Sequence, residues 1–315
     1  MDKRKAGAEN MGGYVITEEE REYLSSYNIS RFDRPSVAAD MAVFSIMGTE
    51  AAEEENYRKD PEKRLKLLLI RRGAFPYKGC WALPGGFCRP GERVEDTARR
   101  ELQEETGVGE AYLELFDIFS DPGRDPRGWI LSHAFLALID GERYRVRGGS
   151  DAWEAGWFGI SLEKKQVKKE VQEVSAEVEN VYELQLVEEG EVPVKLKAVI
   201  RERKYFHDYH ETVDYEILEA GGLAFDHARM ILCAYLALQK RADDTGRIVF
   251  DLMPELFTLA SLQKAYETIQ GKLLLTPNFR RKIAGLVTET KRMSDSAGHR
   301  PAKLYRRNLE AFYQE

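Results

Sequence analysis

The hydrophobic and polar positions divide the first half of the chain into apolar runs separated by charged segments. These runs are short, rich in aliphatic and aromatic residues, and bounded by polar residues or glycine, as is typical of strands. The strand candidates are the runs at 37–47, 65–73, 111–120, 129–139 and 144–149. The charged stretch at 50–64 predicts a surface loop or a short helix, and this first unit ends near residue 160.

Two segments of the same half have helical signals. Thr17, with Glu20 as its capping-box partner, predicts a short helix over 17–26 in a polar N-terminal extension. Residues 94–106 predict a second helix, which Gly107 closes at the C-cap position. The first unit therefore combines several strands with a helix.

After residue 160 the pattern changes. Residues 163–180 are highly charged and are compatible with a helix. Residues 179–205 and 210–222 alternate apolar and polar positions with a period of two, which predicts a half-exposed β-meander. This region contains no catalytic spacing.

Helical periods return after Gly222. The predicted elements are helices at 223–240, 261–271 and 276–285, an extended segment at 248–254, and hairpin strands at 286–292 and 302–307 joined by a turn at 293–301. The third helix opens with a Thr-Pro start. Three helices followed by a hairpin is the order of elements in a winged helix-turn-helix domain.

Composition then excludes several classes of protein. The chain has 315 residues, of which 43% are hydrophobic and 32% charged, as in globular proteins of about two domains. Its three cysteines lack metal-binding spacing and predict free thiols in a reducing cytosol. A polar N-terminus and the lack of a long apolar run predict a cytoplasmic protein without a secretion signal or membrane span.

The net charge of −7 conceals a basic block near the C-terminus. Residues 272–307 contain ten Lys or Arg and two Asp or Glu, a local balance of +8, which leaves about −15 for the rest of the chain. A basic block in an acidic protein indicates an anionic partner for that block alone. A solvated surface is the alternative interpretation.

The run 86–108 carries the clearest chemical signal. Glu101, Glu104 and Glu105 stand at positions i, i+3 and i+4 of the predicted helix, so their carboxylates share one face. Clustered carboxylates suit Mg²⁺ or Mn²⁺, which bridge diphosphate oxygens and activate water for attack on phosphorus. The alternative is an acidic helix face that is merely exposed.

Neighbouring residues have supporting candidate roles. Arg100 is placed to pair with one of these carboxylates, and Glu92 is either a further metal ligand or a structural anchor. Gly85 and Gly86 allow the backbone to approach phosphates without a Cβ in the way.

This run matches the Nudix box at every fixed position, so residues 37–160 resemble a Nudix hydrolase domain. The matching positions are Gly86, Glu92, Arg100, Glu101, Leu102, Glu104, Glu105, Gly107 and Val108. The resemblance implies that Glu101, Glu104 and Glu105 hold the metal ions. The general base stays open between Glu105, Asp151 and Glu154.

The segment 120–128 and the strand after it resemble those of ADP-ribose pyrophosphatases and their regulatory relatives. This resemblance implies a set of substrate-binding side chains that contact a phosphate and ribose hydroxyls. They are Asp121, Arg124, Asp125 and Arg127. A turn with surface charges is the alternative.

The whole chain is similar to the NrtR group of Nudix-related transcriptional regulators, which repress NAD-biosynthesis genes and respond to ADP-ribose or a related nucleotide. The resemblance implies an α+β protein, in which a Nudix α/β/α sandwich with a mixed sheet precedes a C-terminal winged helix-turn-helix domain. The expected parts are an N-terminal extension (1–36), the Nudix domain (37–160), an inserted β-rich and charged segment (161–221) and the winged helix (222–315). Many members of this group have a degraded box, whereas the complete one here favours retained hydrolysis.

For the winged helix, the resemblance implies a recognition helix at 276–285 that binds double-stranded DNA. Its candidate DNA contacts are Asn278, Arg280, Arg281 and Lys282, with His299, Arg300 and Lys303 on the wing. Phe279 and Ile283 are expected to face the domain core. Because regulators that read palindromic sites pair, a homodimer is expected.

Four alternatives stay open from the sequence: a domain that only mediates dimerisation, a plain pyrophosphatase, a sugar-responsive repressor, and a box that binds ligand without turnover.

Overall fold

The computed structural model describes residues 16–48, 63–109, 111–141, 152–189, 192–244, 246–294 and 301–313. The chain forms two compact units, Met1–Pro35 and Ser36–Glu315. In the first unit, helix α1 covers Glu18–Ser26. The Thr17 hydroxyl accepts a hydrogen bond from the Glu20 amide at 3.3 Å, and the Glu20 carboxylate accepts one from the Thr17 amide at 2.9 Å. The predicted capping box is therefore confirmed.

Within the described part of the second unit, ten strands form one sheet. They are β1 (Ser36–Gly48), β2 (Lys63–Arg72), β3 (Trp81–Ala82), β4 (Gly85–Phe87), β5 (Tyr112–Phe119), β6 (Ile130–Leu138), β7 (Ala152–Val171), β8 (Ser175–Glu188), β9 (Val194–His207) and β10 (His210–Glu219). The order is β10-β9-β8-β7-β2-β1-β6-β5, with β3 paired to β2 and β4 to β1. Strands β1 and β6 are parallel and their neighbours antiparallel, so the predicted mixed sheet is confirmed.

Helices cover both faces of this sheet. Alternate residues of each strand point to opposite faces, so one strand can contribute apolar side chains to the cores on both sides. The helices of the second unit are α2 (Val94–Thr106), α3 (His227–Asp244), α4 (Leu259–Gln270), α5 (Thr276–Ile283) and α6 (Leu309–Tyr313). On one face, Met41 of β1 lies in a core with Leu102 of α2. On the other, Phe44 of β1 lies in a core with Met230 of α3. The first helix of the C-terminal part therefore completes the sandwich.

The prediction of a helix at residues 163–180 was wrong, since these residues form the end of β7, the turn after it and the start of β8. The two strands pair from Phe158 with Glu188 to Val171 with Ala176. Their charged positions form ion pairs across the meander, such as Lys168 with Glu177 at 2.8 Å. Alternate apolar positions of β8 are buried, so a period of two governs this segment as well. The predicted meander at β9 and β10 is confirmed.

The meander continues the main sheet, and β7 runs through the expected boundary at residue 160.

The C-terminal elements follow the predicted winged-helix order, with strands β11 (Val287–Met293) and β12 (Lys303–Arg307) after the helices. The prediction of an extended segment at 248–254 was wrong, because Arg247–Leu252 forms a 3-10 helix. Its apolar residues are buried on consecutive positions, which a turn allows and an alternating strand does not.

Three predictions lie mostly or wholly outside the described residues: the loop or short helix at 50–64, the strand at 144–149 and the turn at 293–301. The described end of the first, Lys63 and Arg64, belongs to strand β2, so the loop prediction was wrong there. Across the described ranges, each helix is too short or too polar to cross a membrane. Cys80, Cys88 and Cys233 are free thiols.

Candidate functional site

A cavity of about 380 Å³ opens beside the N-terminal half of β1. Its walls come from β1, the end of β2, β4, helix α2, the loop between β5 and β6, and the residues before α3. Segments that are distant in sequence therefore meet at one site.

Helix α2 places its carboxylates in this cavity. Ala98 and Leu102 are buried against the sheet, which orients the helix. Glu101, Glu104 and Glu105 all line the cavity, as the i, i+3, i+4 spacing predicts. Gly107 ends the helix with φ of 76°, a left-handed conformation that favours glycine.

Arg100 connects the carboxylates of the box. Its Nη1 donates to Glu101 at 2.5 Å and to Glu104 at 3.3 Å, while Nε donates to Glu92 at 2.9 Å. The hydrogen bond with Glu92, followed by that with Glu101, raises the pKa of Arg100 above its usual value despite opposing burial. Arg100 thus contacts three carboxylates of the box and stays charged.

Glu92 lies outside the cavity lining, and protein groups contact its carboxylate. Both of its carboxylate oxygens accept hydrogen bonds from Arg100, and one accepts a further bond from Thr97 at 2.9 Å. The bond from Arg100 is the largest cause that lowers the pKa of Glu92 to about 2. Of its two candidate roles, this geometry favours the anchor.

The two glycines of β4 are required by close packing. A Cβ on Gly86 would overlap the Glu101 carboxylate, and a Cβ on Gly85 would overlap the backbone of Ala39. The Gly85 amide donates to Glu105 at 2.9 Å. The missing Cβ atoms make room for these protein contacts, a use that the sequence interpretation did not include.

The box carboxylates match the donor chemistry of a divalent cation. Three glutamates line one cavity together with Asp40 of β1, which is 9% exposed. In the described part of the chain these carboxylates do not form an assembled group of three ligands, and Arg100 and the Gly85 amide donate hydrogen bonds to Glu101 and Glu105. A hard cation would compete with these partners for the same carboxylates, and the oxygen set fits it.

The β5–β6 loop contributes three of its four predicted residues to the cavity: Arg124, Asp125 and Arg127. Arg127 and Asp125 form a forked ion pair with contacts of 3.0 and 2.6 Å. Burial would raise the pKa of Asp125, but the hydrogen bonds from Arg127 prevail and lower it. Asp121 does not line the cavity and pairs with Arg229 of α3 at 2.5 Å.

Arg124 is buried and already paired. Its Nε and Nη2 donate to the two carboxylate oxygens of Asp226 at 2.9 and 2.7 Å, and its Nη1 donates to Ser132 at 2.7 Å. The side chain is 5% exposed and that of Asp226 is 12% exposed. Arg124 therefore ties the loop to the start of α3.

The cavity residues that the sequence interpretation missed include four that bear on its chemistry: Asp40, Arg72, Phe225 and His227. Burial, and then the charge of Arg127, lowers the pKa of Arg72. His227 accepts a hydrogen bond from the Leu83 amide at its Nδ1, at 2.9 Å, and burial is the largest cause that lowers its pKa. The imidazole is therefore neutral, with its proton on Nε2.

A local signal existed for two of these four residues. Asp40 interrupts an apolar strand and Arg72 follows a run of buried aliphatic residues, and charges in such positions require partners. Phe225 and His227 gave no local signal, because pairing of Leu223 and Ala224 with Trp81 brings them to the cavity.

The three candidates for the general base occupy different positions. Glu105 lines the cavity. Glu154 lies outside its lining, is 47% exposed, and pairs with Arg71 at 3.4 Å. Asp151 lies outside the described residues.

On the candidate DNA-binding surface, Phe279 and Ile283 are buried, as predicted. Asn278, Arg280 and Arg281 of α5 are exposed, and Arg281 donates to Asn278 at 2.8 Å. Lys303 of the wing pairs with Glu289 at 2.5 Å. His299 and Arg300 lie outside the described residues.

Lys282 contacts the other end of α3. Its Nζ donates to the carbonyl oxygens of Ala242 and Asp243 at 3.3 and 3.0 Å. This contact joins α5, the expected recognition helix, to the helix that begins at the cavity.

Two family models match the chain. The NUDIX domain matches residues 57–178, and the NrtR DNA-binding winged helix domain matches residues 249–307. The chain is 30% identical over 298 residues to the "ADPR responsive transcriptional repressor NtrR" of Acinetobacter baylyi, a match that covers 93% of this chain and 90% of that protein.

Two further comparisons concern the first part and the whole fold. The chain is 46% identical over 101 residues to an ADP-ribose pyrophosphatase of Methanocaldococcus jannaschii, which covers 32% of this chain and 58% of that protein. The crystal structure of a MutT/nudix family protein from Enterococcus faecalis matches with a TM-score of 0.62 at 25% identity, over 92% of this chain and 93% of that one.

Proposed function

The chain belongs to the NrtR family of Nudix-related transcriptional repressors, and we propose that ADP-ribose or a related nucleoside diphosphate controls its affinity for DNA. The cavity is the nucleotide site in this proposal, and the winged helix is the DNA-binding element. Both the family models and the full-length relative support this combination.

One observation carries the proposal: the nucleotide cavity and the winged helix share helix α3. Phe225 and His227, at the start of this helix, line the cavity together with the box glutamates. The end of the same helix accepts hydrogen bonds from Lys282 of α5. The cavity volume lies within the usual range of ligand sites, about 300–1,000 Å³. Its carboxylates and arginines suit a diphosphate that binds with a cation.

We also propose that the site hydrolyses its ligand with Mg²⁺ or Mn²⁺, as the similarity to an ADP-ribose pyrophosphatase suggests. Glu101, Glu104 and Glu105 would hold the cation, and Arg100 would keep Glu101 and Glu104 in position. The cation would supply charge neutralisation on the diphosphate and a more acidic water. The water oxygen would bond to one phosphorus, and the bond from that phosphorus to the bridging oxygen would break, so that the bridging oxygen leaves with the other phosphate. ADP-ribose and water would thus give AMP and ribose 5-phosphate, with the protons of the water passing to the base and the solvent.

The general base removes a proton from the attacking water in this reaction. Glu105 is favoured because it lines the cavity, whereas the Glu154 carboxylate lies on the surface. Asp151 stays a candidate.

For DNA binding, Asn278, Arg280 and Arg281 form the proposed contact surface of α5, with Arg300 and Lys303 on the wing. Lys282 contributes charge while it holds the end of α3. We infer that the repressor acts as a homodimer in the cytoplasm, since paired recognition helices read palindromic sites. Light scattering at the expected dimer mass would support the homodimer, and a stable monomer would refute it.

A mobility-shift assay on DNA from upstream of the protein's own gene tests the repressor function. We expect a specific band at moderate salt, where nonspecific phosphate contacts weaken, and loss of that band on addition of ADP-ribose. A band that ADP-ribose does not change would exclude nucleotide control. If no specific band forms, the repressor function is contradicted, and the alternative is a pyrophosphatase whose C-terminal domain has another role.

A further inference from the structure

We propose that Arg72 binds the negatively charged diphosphate of the ligand, and that its movement away from Phe225 transmits binding to helix α3. This inference rests on the proposed function and assigns the link between the nucleotide and the winged helix. It concerns two residues that are far apart in the sequence and meet at the cavity.

Arg72 carries a charge for which the described residues provide no carboxylate partner within ion-pair distance. Its Nε donates to the Pro76 carbonyl at 2.8 Å, and its guanidinium carbon lies 4.8 Å from the ring centre of Phe225. Burial and the nearby charge of Arg127 both disfavour this cation and lower its pKa. A cavity-lining guanidinium in this state is ready to bind an anion.

The ring of Phe225 is surrounded by cations and aromatic groups. Arg127 also lies over this ring, at 5.3 Å, and the ring centre of Tyr77 is 4.7 Å away. Because a forked bond from arginine to phosphate is charge-assisted, it is stronger than a contact between arginine and a ring. A diphosphate in the cavity would therefore take Arg72 from Phe225.

Phe225 is also held in a costly backbone conformation. Its φ is 52° and that of Tyr77 is 58°, both in the left-handed region that bulky side chains avoid. Such conformations persist only where surrounding contacts hold them, and they concentrate at switch regions. Loss of the arginine contact removes part of what holds Phe225.

The next residues connect this strained position to DNA binding. Asp226 forms the buried pair with Arg124, and His227 begins helix α3. At the far end of α3, the carbonyl oxygens of Ala242 and Asp243 hold Lys282 of the recognition helix. A change at Phe225 therefore reaches α5 through one helix.

The first experiment measures, by calorimetry with Mg²⁺ present, the affinity for α,β-methylene ADP-ribose, an analogue whose P–C–P bridge is not hydrolysed. We expect Arg72→Gln to weaken binding by about tenfold or more, because one charge-assisted pair is lost. Arg72→Lys should recover part of the affinity since it keeps the charge. Arg99→Gln is the matched control, because Arg99 is an exposed arginine of α2 outside the cavity lining.

The second experiment measures operator affinity with and without ADP-ribose, at concentrations that saturate each variant. Phe225→Leu keeps an apolar side chain but loses the ring, so the ratio of the two affinities should fall towards one. Thermal unfolding of every variant confirms that it is folded. Phe225→Tyr, which keeps the ring, should retain the wild-type ratio, and Phe225→Met, which lacks the ring, tests the same point if the leucine variant unfolds.

The outcomes separate this inference from the proposed function. Wild-type ADP-ribose affinity in Arg72→Gln, or a wild-type ratio in Phe225→Leu, overturns the inference while the repressor function stands. A wild-type protein that does not respond to ADP-ribose removes the proposed function and, with it, the inference.

Discussion

At the scale of single residues, the site depends on the way in which each charge is held. Glu92 and Arg100 form a pair outside the cavity lining, whereas Glu104 lines the cavity and its side chain is half exposed. The pair of Glu92 and Arg100 maintains the geometry of helix α2, and the Glu104 carboxylate is available to a cation. Residues of one motif thus divide between structure and chemistry.

The role of Glu104 is tested by the isosteric variant Glu104→Gln. We expect hydrolysis of ADP-ribose with Mg²⁺ to fall by about a hundredfold or more, because a cation ligand is worth several kcal/mol of transition-state stabilisation. Release of AMP, followed by chromatography, is the measurement. Glu95→Gln, in the first turn of the same helix and outside the cavity lining, is the control. Equal rates for Glu104→Gln and the wild type would contradict the assignment.

His227 gives the stability of the protein a specific pH dependence. Its pKa in the folded state is below the unfolded value of about 6.5, so the unfolded state binds the proton more readily. The free energy of unfolding should therefore decrease as the pH falls from 6.5 to 5, by up to about 1.4 kcal/mol per pH unit. The carboxyl groups of Glu92 and Asp125, whose pKa values are lowered, titrate at lower pH and contribute little in this window.

Urea denaturation at several pH values measures this dependence. The variant His227→Gln keeps an acceptor for the Leu83 amide but does not titrate. If the free energy of unfolding changes with pH equally in the variant and the wild type, another group is responsible for the pH dependence.

At the scale of elements, the loop between β5 and β6 is attached to α3 by two ion pairs of different burial. Arg124 and Asp226 are almost fully buried, whereas Asp121 is 56% exposed where it meets Arg229. A buried charge that loses its partner is costly, and an exposed pair contributes little. The first pair is therefore expected to determine the stability of this junction.

Single substitutions of the two aspartates compare these pairs directly. Asp226→Asn should lower the free energy of unfolding by about 3–5 kcal/mol, because Arg124 stays buried without a counter-charge. Asp121→Asn should change it by less than about 1 kcal/mol. Chemical denaturation measures both, and similar losses in the two variants would contradict this difference.

The elements also show which parts of the site can be derived from sequence. The box is local in sequence. Its three glutamates stand at positions i, i+3 and i+4 of helix α2, so their spacing directly predicts that they share one face. The meander was harder to predict at 163–180, because the many charged residues there obscure the alternation of apolar and polar positions. The strand pattern becomes evident only from the pairing of β7 with β8. Arg72 and Phe225 are 153 residues apart and meet only through the pairing of Trp81 with Leu223, which no local pattern indicates.

At the scale of the whole molecule, the cavity and the winged helix share the same helix. Family membership and the +8 basic block both associate the C-terminal part with DNA. The structure adds that α3 covers the Nudix sheet, begins at the cavity and ends against the recognition helix. Sensing and DNA binding are therefore parts of one framework.

The most direct test of this account is thermodynamic reciprocity between the two ligands. If ADP-ribose weakens operator binding by a given factor, saturating operator must weaken ADP-ribose binding by the same factor. Fluorescence anisotropy gives the first factor and calorimetry the second, both with Mg²⁺ and the non-hydrolysable α,β-methylene analogue of ADP-ribose. We predict equal factors of about fivefold or more. Affinities for ADP-ribose that are the same with and without operator would contradict nucleotide control of this protein.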